Sequence, residues 1–143
     1  LGVIDEDTIC EASDAYLQSF GLTFRKVSYM KDFALKVRNH EIDLDGLYVK
    51  SDEEVIEILQ SLKGIGRWTA EMILLFCMQR KNVFAYDDLA IQRGLRMVYH
   101  HRKITKQLFE KYRRRFSPYC SIASLYLWAV AGGKMEGMKD YGK

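Results

Sequence analysis

Leu62-Lys63-Gly64-Ile65-Gly66-Arg67-Trp68-Thr69-Ala70 joins two segments of helical periodicity through a connection too short for anything but a tight turn. Upstream, Ser51 and Glu54 form an S-x-x-E capping box, and Val55, Ile58, Leu59 and Leu62 follow at helical spacing. Downstream, a second helix begins with Trp68-Thr69-Ala70. Its continuation, Met72 to Met78, is apolar on every side and so predicts a buried central helix. Two glycines flanking Ile65 give the turn backbone angles closed to other residues and let Ile65 plug between the helices. Their N–H groups, at the start of a helix and beside Lys63 and Arg67, make an anion site that suits a DNA phosphate. The plainer alternative is an ordinary helix–helix turn with glycine at the C-cap.

The rest of the chain also reads as helix. Asp7 to Ser19 predicts a short helix closed by Gly21, and Thr23 caps the next, with Met30, Phe33, Ala34 and Val37 on one stripe. Asn39 to Lys50 is polar and irregular. Lys81 to Tyr86 is a loop, with Asp87 and Asp88 just before a helical stretch from Leu89 to Tyr99. Thr105 caps a helix reaching Phe116, with Leu108, Phe109, Tyr112 and Phe116 on one stripe. Pro118 breaks it, and Ser121 to Val130 forms a last, nearly all-apolar helix. No strand alternation, repeat or low-complexity segment is seen, so the fold class is all-α: a compact helical bundle. Residues 1–131 form the domain, and the Gly- and Lys-rich residues 132–143 form a flexible tail.

Of the 143 residues, 48% are hydrophobic, which fits a globular core and argues against disorder. No run reaches the roughly 18 apolar residues of a membrane span, and no signal peptide is visible. A net charge of +3 permits nucleic-acid binding without demanding it. The three cysteines, Cys10, Cys77 and Cys120, are widely spaced and include no C-x-x-C pair. They support neither a disulfide framework nor a zinc or iron–sulfur site, and Cys77, within an apolar run, reads as a buried small hydrophobe. A reducing, intracellular location follows, cytoplasmic and nucleoid-associated if the source is bacterial.

The turn resembles the hairpin of the helix-hairpin-helix DNA glycosylase superfamily, usually L-P-G-I/V-G-x-x-T-A, with Lys63 in place of the proline. The resemblance continues through Glu71-Met72-Ile73-Leu74-Leu75-Phe76 and through Val83-Phe84-Ala85-Tyr86-Asp87-Asp88-Leu89-Ala90-Ile91-Gln92-Arg93-Gly94-Leu95. It ends with Pro118-Tyr119-Cys120-Ser121-Ile122-Ala123 and Tyr126-Leu127-Trp128. Within the superfamily it is most similar to the alkylation-repair branch, the 3-methyladenine DNA glycosylase II group. That family's domain has further helices before the region matching Phe20. With Leu1 as its first residue, the chain is expected to be a C-terminal portion of the family domain, lacking those N-terminal helices.

The resemblance implies a monofunctional glycosylase that hydrolyses the N-glycosidic bond of alkylated bases, such as 3-methyladenine, in duplex DNA. It makes Asp88 the catalytic carboxylate, since Asp88-Leu89-Ala90-Ile91-Gln92-Arg93 matches the family's D-x-x-V/I-x-R pattern. Asp87 is left to cap the helix. One fixed anion suffices for a leaving group that already carries positive charge. Trp68 stands where strand-cutting members have a Schiff-base lysine, so no lyase activity is expected. Trp68, Met72 and Trp128 would line the base pocket, the two tryptophans being core aromatics in the plainer reading. Lys63, Gly64, Ile65, Gly66, Arg67 and Thr69 would hold the DNA backbone. The carbonyls of Gln60, Leu62 and Ile65 would hold a monovalent cation when DNA is bound. No other cofactor and no iron–sulfur cluster are expected, and the full-length protein is expected to be monomeric. A glycosylase for an oxidised or mismatched base, or a non-enzymatic hairpin module that only grips DNA, are the alternatives.

Overall fold

A computed structural model describes residues 2–142; Leu1 and Lys143, the outer limits of the domain and tail assigned above, lie outside the described residues. Every regular element among the described residues is helical, and the chain divides into two compact units, Leu1–Ala70 and Glu71–Lys143. No helix is long and apolar enough to cross a membrane.

In the first unit, α1 (Glu6–Glu11) and α2 (Asp14–Gln18) pack on α3 (Phe24–Arg38). The single helix expected from Asp7 to Ser19 is therefore two. Ser13 is extended at φ −68°, ψ 150° and accepts the Tyr16 N–H, so a second helix starts where the first was to continue. Thr23 caps α3 as expected, by accepting from Lys26 N–H. On α3, Val27 and Ala34 are buried, while Met30, Phe33 and Val37 of the predicted stripe are half-buried. A 3-10 turn (Asp45–Val49) interrupts the irregular stretch and buries Leu47. Then α4 (Asp52–Gln60) begins at the Ser51–Glu54 capping box. Both halves of the box form: Ser51 Oγ takes the Glu54 N–H, and the Glu54 carboxylate takes the Ser51 N–H at 2.8 Å. The bonds that this carboxylate accepts from the Ser51 N–H and hydroxyl hold it below its ordinary value.

α5 (Arg67–Met72) carries the chain out of this unit and runs into a π-helical turn (Ile73–Cys77), where Met78 N–H bonds to the Ile73 carbonyl. This is not the buried central helix that the apolar run predicts. Leu74 and Leu75 are buried, but Phe76 and Cys77 are exposed. The extra residue in each hydrogen-bonded ring rotates the following side chains off the buried face.

The second unit is built from α6 (Leu89–Tyr99), α7 (Lys106–Phe116) and α8 (Cys120–Ala131). Its core holds Phe84, Ala85, Ile91, Leu95, Ile104, Phe109, Tyr112, Cys120 and Leu127, with Met72 and Trp128 packed against it. α6 and α8 cross closely because residue 94 has no side chain. A Cβ there would lie 2.6 Å from the Leu127 carbonyl oxygen. Burial pushes the Cys120 thiol up, leaving it a packed hydrophobe. The tail, expected to fray, is tied at its far end. Asp140 takes two bonds from the Arg96 guanidinium, at 2.7 and 2.8 Å, and its own oxygen accepts the Gly142 N–H.

Candidate active site

Two backbone bonds close the hairpin locally. Ile65 N–H donates to the Leu62 carbonyl at 3.3 Å, and Ala70 N–H to the Gly66 carbonyl at 3.0 Å. Gly64 sits at φ +83°, and a Cβ there would strike the Tyr29 ring. Gly66 differs from the sequence expectation: its φ is not in the left-handed region, and a Cβ there would meet nothing. Ile65 is half-buried and Thr69 likewise. Lys63 and Arg67 are exposed, each beside a carboxylate of its own unit. Lys63 Nζ lies 3.9 Å from Asp32, and Arg67 makes a two-pronged pair with Glu53 at 2.7 and 3.2 Å. Trp68, at 47% exposed, and the Gln60, Leu62 and Ile65 carbonyls belong to this same unit.

In the second unit the residues of interest converge on Asp88. The loop leading to it is stitched to the start of α8. Ser121 N–H donates to the Lys81 carbonyl, and its hydroxyl donates to the Arg80 carbonyl and accepts the Val83 N–H. Ser124 Oγ donates to the Val83 carbonyl at 3.1 Å, and Asn82 accepts the Cys120 N–H. The chain then turns through Ala85, whose carbonyl takes the Asp88 N–H, while Gln92 bonds back to the Tyr86 carbonyl. This lattice delivers Asp88 to the first turn of α6.

Asp88, not Asp87, is the cap of α6, and this corrects the sequence assignment. Asp88 Oδ1 accepts the Ile91 N–H at 2.9 Å, whereas Asp87 is exposed. The same oxygen accepts the Trp128 indole N–H at 3.1 Å, and Asp88 is only 6% exposed. Trp128 in turn stacks on Phe76, centroids 5.6 Å apart and planes within 11°. The unit therefore brings Asp88 and Trp128 together and packs Met72 on the same core. Phe76 and the hydroxyls of Ser121 and Ser124 went unnoticed in the sequence. Two hydroxyls one turn apart on an otherwise apolar helix were the available signal for the serines, because a buried hydroxyl needs partners. For Phe76 there was none, since the π turn that presents it leaves no local mark.

This arrangement supplies a fixed, mostly buried carboxylate at a helix start, beside an aromatic face. Such a site can stabilise developing positive charge or orient a water.

No family model matches the chain. It is 35% identical over 135 residues to DNA-3-methyladenine glycosylase 1 of Schizosaccharomyces pombe, covering 89% of this chain and 54% of that protein. Its fold is similar to a DNA-3-methyladenine glycosidase of Bacillus halodurans, with a TM-score of 0.82 and 31% identity over 94% of this chain and 63% of that one. It is also similar to a 3-methyladenine DNA glycosylase of Schizosaccharomyces pombe in complex with abasic DNA, with a TM-score of 0.73 and 30% identity over 92% and 64% of the two chains. The chain spans about half the length of the curated relatives it matches. With its hairpin and its all-helical architecture, it belongs to the helix-hairpin-helix DNA glycosylase superfamily. Within that superfamily its similarity is to the alkylation-repair group, whose named members include the relatives above.

Proposed function

We propose that the protein is a monofunctional DNA glycosylase that hydrolyses the N-glycosidic bond of alkylated bases, 3-methyladenine among them, in duplex DNA as the first step of base excision repair. The observation that carries this reading is the Asp88 carboxylate, held on one oxygen by Ile91 N–H and Trp128 Nε1–H. A flipped nucleotide stacks on aromatic side chains, for which Trp68, Met72 and Trp128 are the candidates. A base alkylated on a ring nitrogen is already cationic. It gains from the π face and leaves without a proton donor. As the bond to the sugar breaks, positive charge grows on the deoxyribose ring, and the anion at Asp88 stabilises it and orients the incoming water. Trp68 carries no amine, so water takes the sugar and the strand stays whole.

The hairpin residues Lys63, Gly64, Ile65, Gly66, Arg67 and Thr69 hold the phosphate backbone, a contact blind to base sequence. The Asp32 and Glu53 partners of the two cations give way at little cost, because exposed ion pairs are weak. With DNA bound, the carbonyls of Gln60, Leu62 and Ile65 suit a monovalent cation. The Leu62 carbonyl, already accepting Ile65 N–H, has a second lone pair for it. Duplex DNA as substrate implies an intracellular protein.

The test is release of base from duplexes each carrying one lesion, read as abasic sites, with the native protein and Asp88→Asn. Asparagine caps a helix about as well as aspartate, so fold and DNA affinity persist. Base release is expected to fall by a factor on the order of a hundred or more. Undiminished release by the variant would put the chemistry elsewhere.

A further inference from the structure

We propose that Phe76 is a positioning residue: by stacking on Trp128 it sets the plane of the indole and, through the indole N–H, the orientation of the Asp88 carboxylate. The inference rests on the glycosylase reading above. Its starting point is that an indole has one donor, Nε1–H, which lies in the ring plane. Whether that N–H reaches Asp88 Oδ1, as it does at 3.1 Å, is decided by how the ring is turned about its side-chain bonds. Phe76 lies parallel to one face of the ring, 11° from coplanar, at the separation of a stacked aromatic pair. Its presence there is not explained by its own burial, for Phe76 is 59% exposed. It is carried by the π-helical turn Ile73–Cys77, where the Ile73 carbonyl accepts from Met78 N–H. Such turns are rare and recur at functional sites. The stack also occupies one face of Trp128, so a flipped base can use only the other.

The experiment takes the full chain and measures single-turnover base release and affinity for abasic duplex in Phe76→Leu, Phe76→Tyr and Trp128→Phe, and in the two double variants. Phe76→Leu is expected to slow release about tenfold with affinity unchanged within about twofold. Phe76→Tyr, which keeps the ring, should restore most of the rate. In the Trp128→Phe background, which has no indole N–H to aim, Phe76→Leu should have almost no further effect on the rate. Equal slowing in both backgrounds, or a tyrosine variant as slow as the leucine one, would overturn the proposal.

A second readout needs no activity. The protein has two tryptophans, hence two indole N–H resonances, and the one missing in Trp128→Phe belongs to Trp128. Its exchange with water should quicken in Phe76→Leu and stay slow in Phe76→Tyr. If the native protein releases no base, the glycosylase reading fails and this exchange alone decides the role of Phe76. Unaltered exchange in Phe76→Leu would refute it.

Discussion

The hairpin and the approach to Asp88 are both short connections leading into a helix, each carrying residues of the proposed site, yet their backbones are held differently. The hairpin is closed by local backbone bonds, Ile65 to Leu62 and Ala70 to Gly66, with Gly64 at φ +83° against the Tyr29 ring and Arg67 paired with the exposed Glu53. The approach to Asp88 relies on residues some forty positions away, the hydroxyls of Ser121 and Ser124 and the amide of Cys120. The phosphate contact proposed for the hairpin tolerates a locally closed turn, because the DNA backbone can adjust to it. A carboxylate that must meet one developing charge needs a frame fixed from outside.

If that contrast is right, the largest structural effect should come from the distant support of Asp88. Ser121→Ala leaves the Val83 N–H without its acceptor in a buried setting, at a cost of about 2 kcal/mol in unfolding free energy. Base release should drop with it while DNA affinity holds; a loss confined to affinity would erase the distinction between the two connections. A smaller effect is expected inside the hairpin, and at only one of its glycines. Gly64→Ala should destabilise by about 1 kcal/mol, through its positive φ and the Tyr29 ring, while Gly66→Ala stays within about 0.5 kcal/mol in chemical denaturation. Equal costs at the two positions would show that the turn is strained throughout.

The smallest effect concerns the tail. The Arg96 guanidinium holds the Asp140 carboxyl far below the usual carboxylate range. A lowered native value means that the charge-dependent part of the attachment is fully present at neutral pH. It weakens as pH falls through the ordinary aspartate value near ~4 and onward through the native one. The Gly142 amide resonance, bonded to Asp140, should follow that loss in an acid titration and be insensitive to pH in Asp140→Asn. Global stability should change by less than about 1 kcal/mol, since only the chain end is released.

What was legible follows the same division. The caps at Thr23, Ser51 and Thr105, the hairpin, and the α7 stripe with Phe109 and Tyr112 at its centre are local patterns, and the structure has them where the sequence puts them. The break at Ser13 is also local: an extended serine whose hydroxyl caps the helix that follows it. Asp87 and Asp88 are the same residue type in adjacent positions, so the sequence does not say which of them is extended at the start of α6 and accepts the Ile91 N–H; it is Asp88. The exposure of Phe76 and Cys77 comes from a widened turn inside a run of ordinary apolar residues. The serine lattice and the Phe76–Trp128–Asp88 contacts join positions far apart in the chain, so only the fold reveals them.

The cap at Asp88 has an implication for how such a protein drifts under mutation. Groups devoted to chemistry commonly weaken the fold that carries them, so stability and activity pull a sequence in different directions. Here the residue proposed to act on the sugar also anchors the first turn of α6, where losing a capping side chain costs about 1 kcal/mol. Most replacements at position 88 would be purged for folding before they were tested for function. Asparagine keeps the anchor without the charge, as serine does, and it also keeps an oxygen in place to meet the Trp128 indole N–H, so it is the shortest route by which a descendant could keep this architecture and lose the reaction.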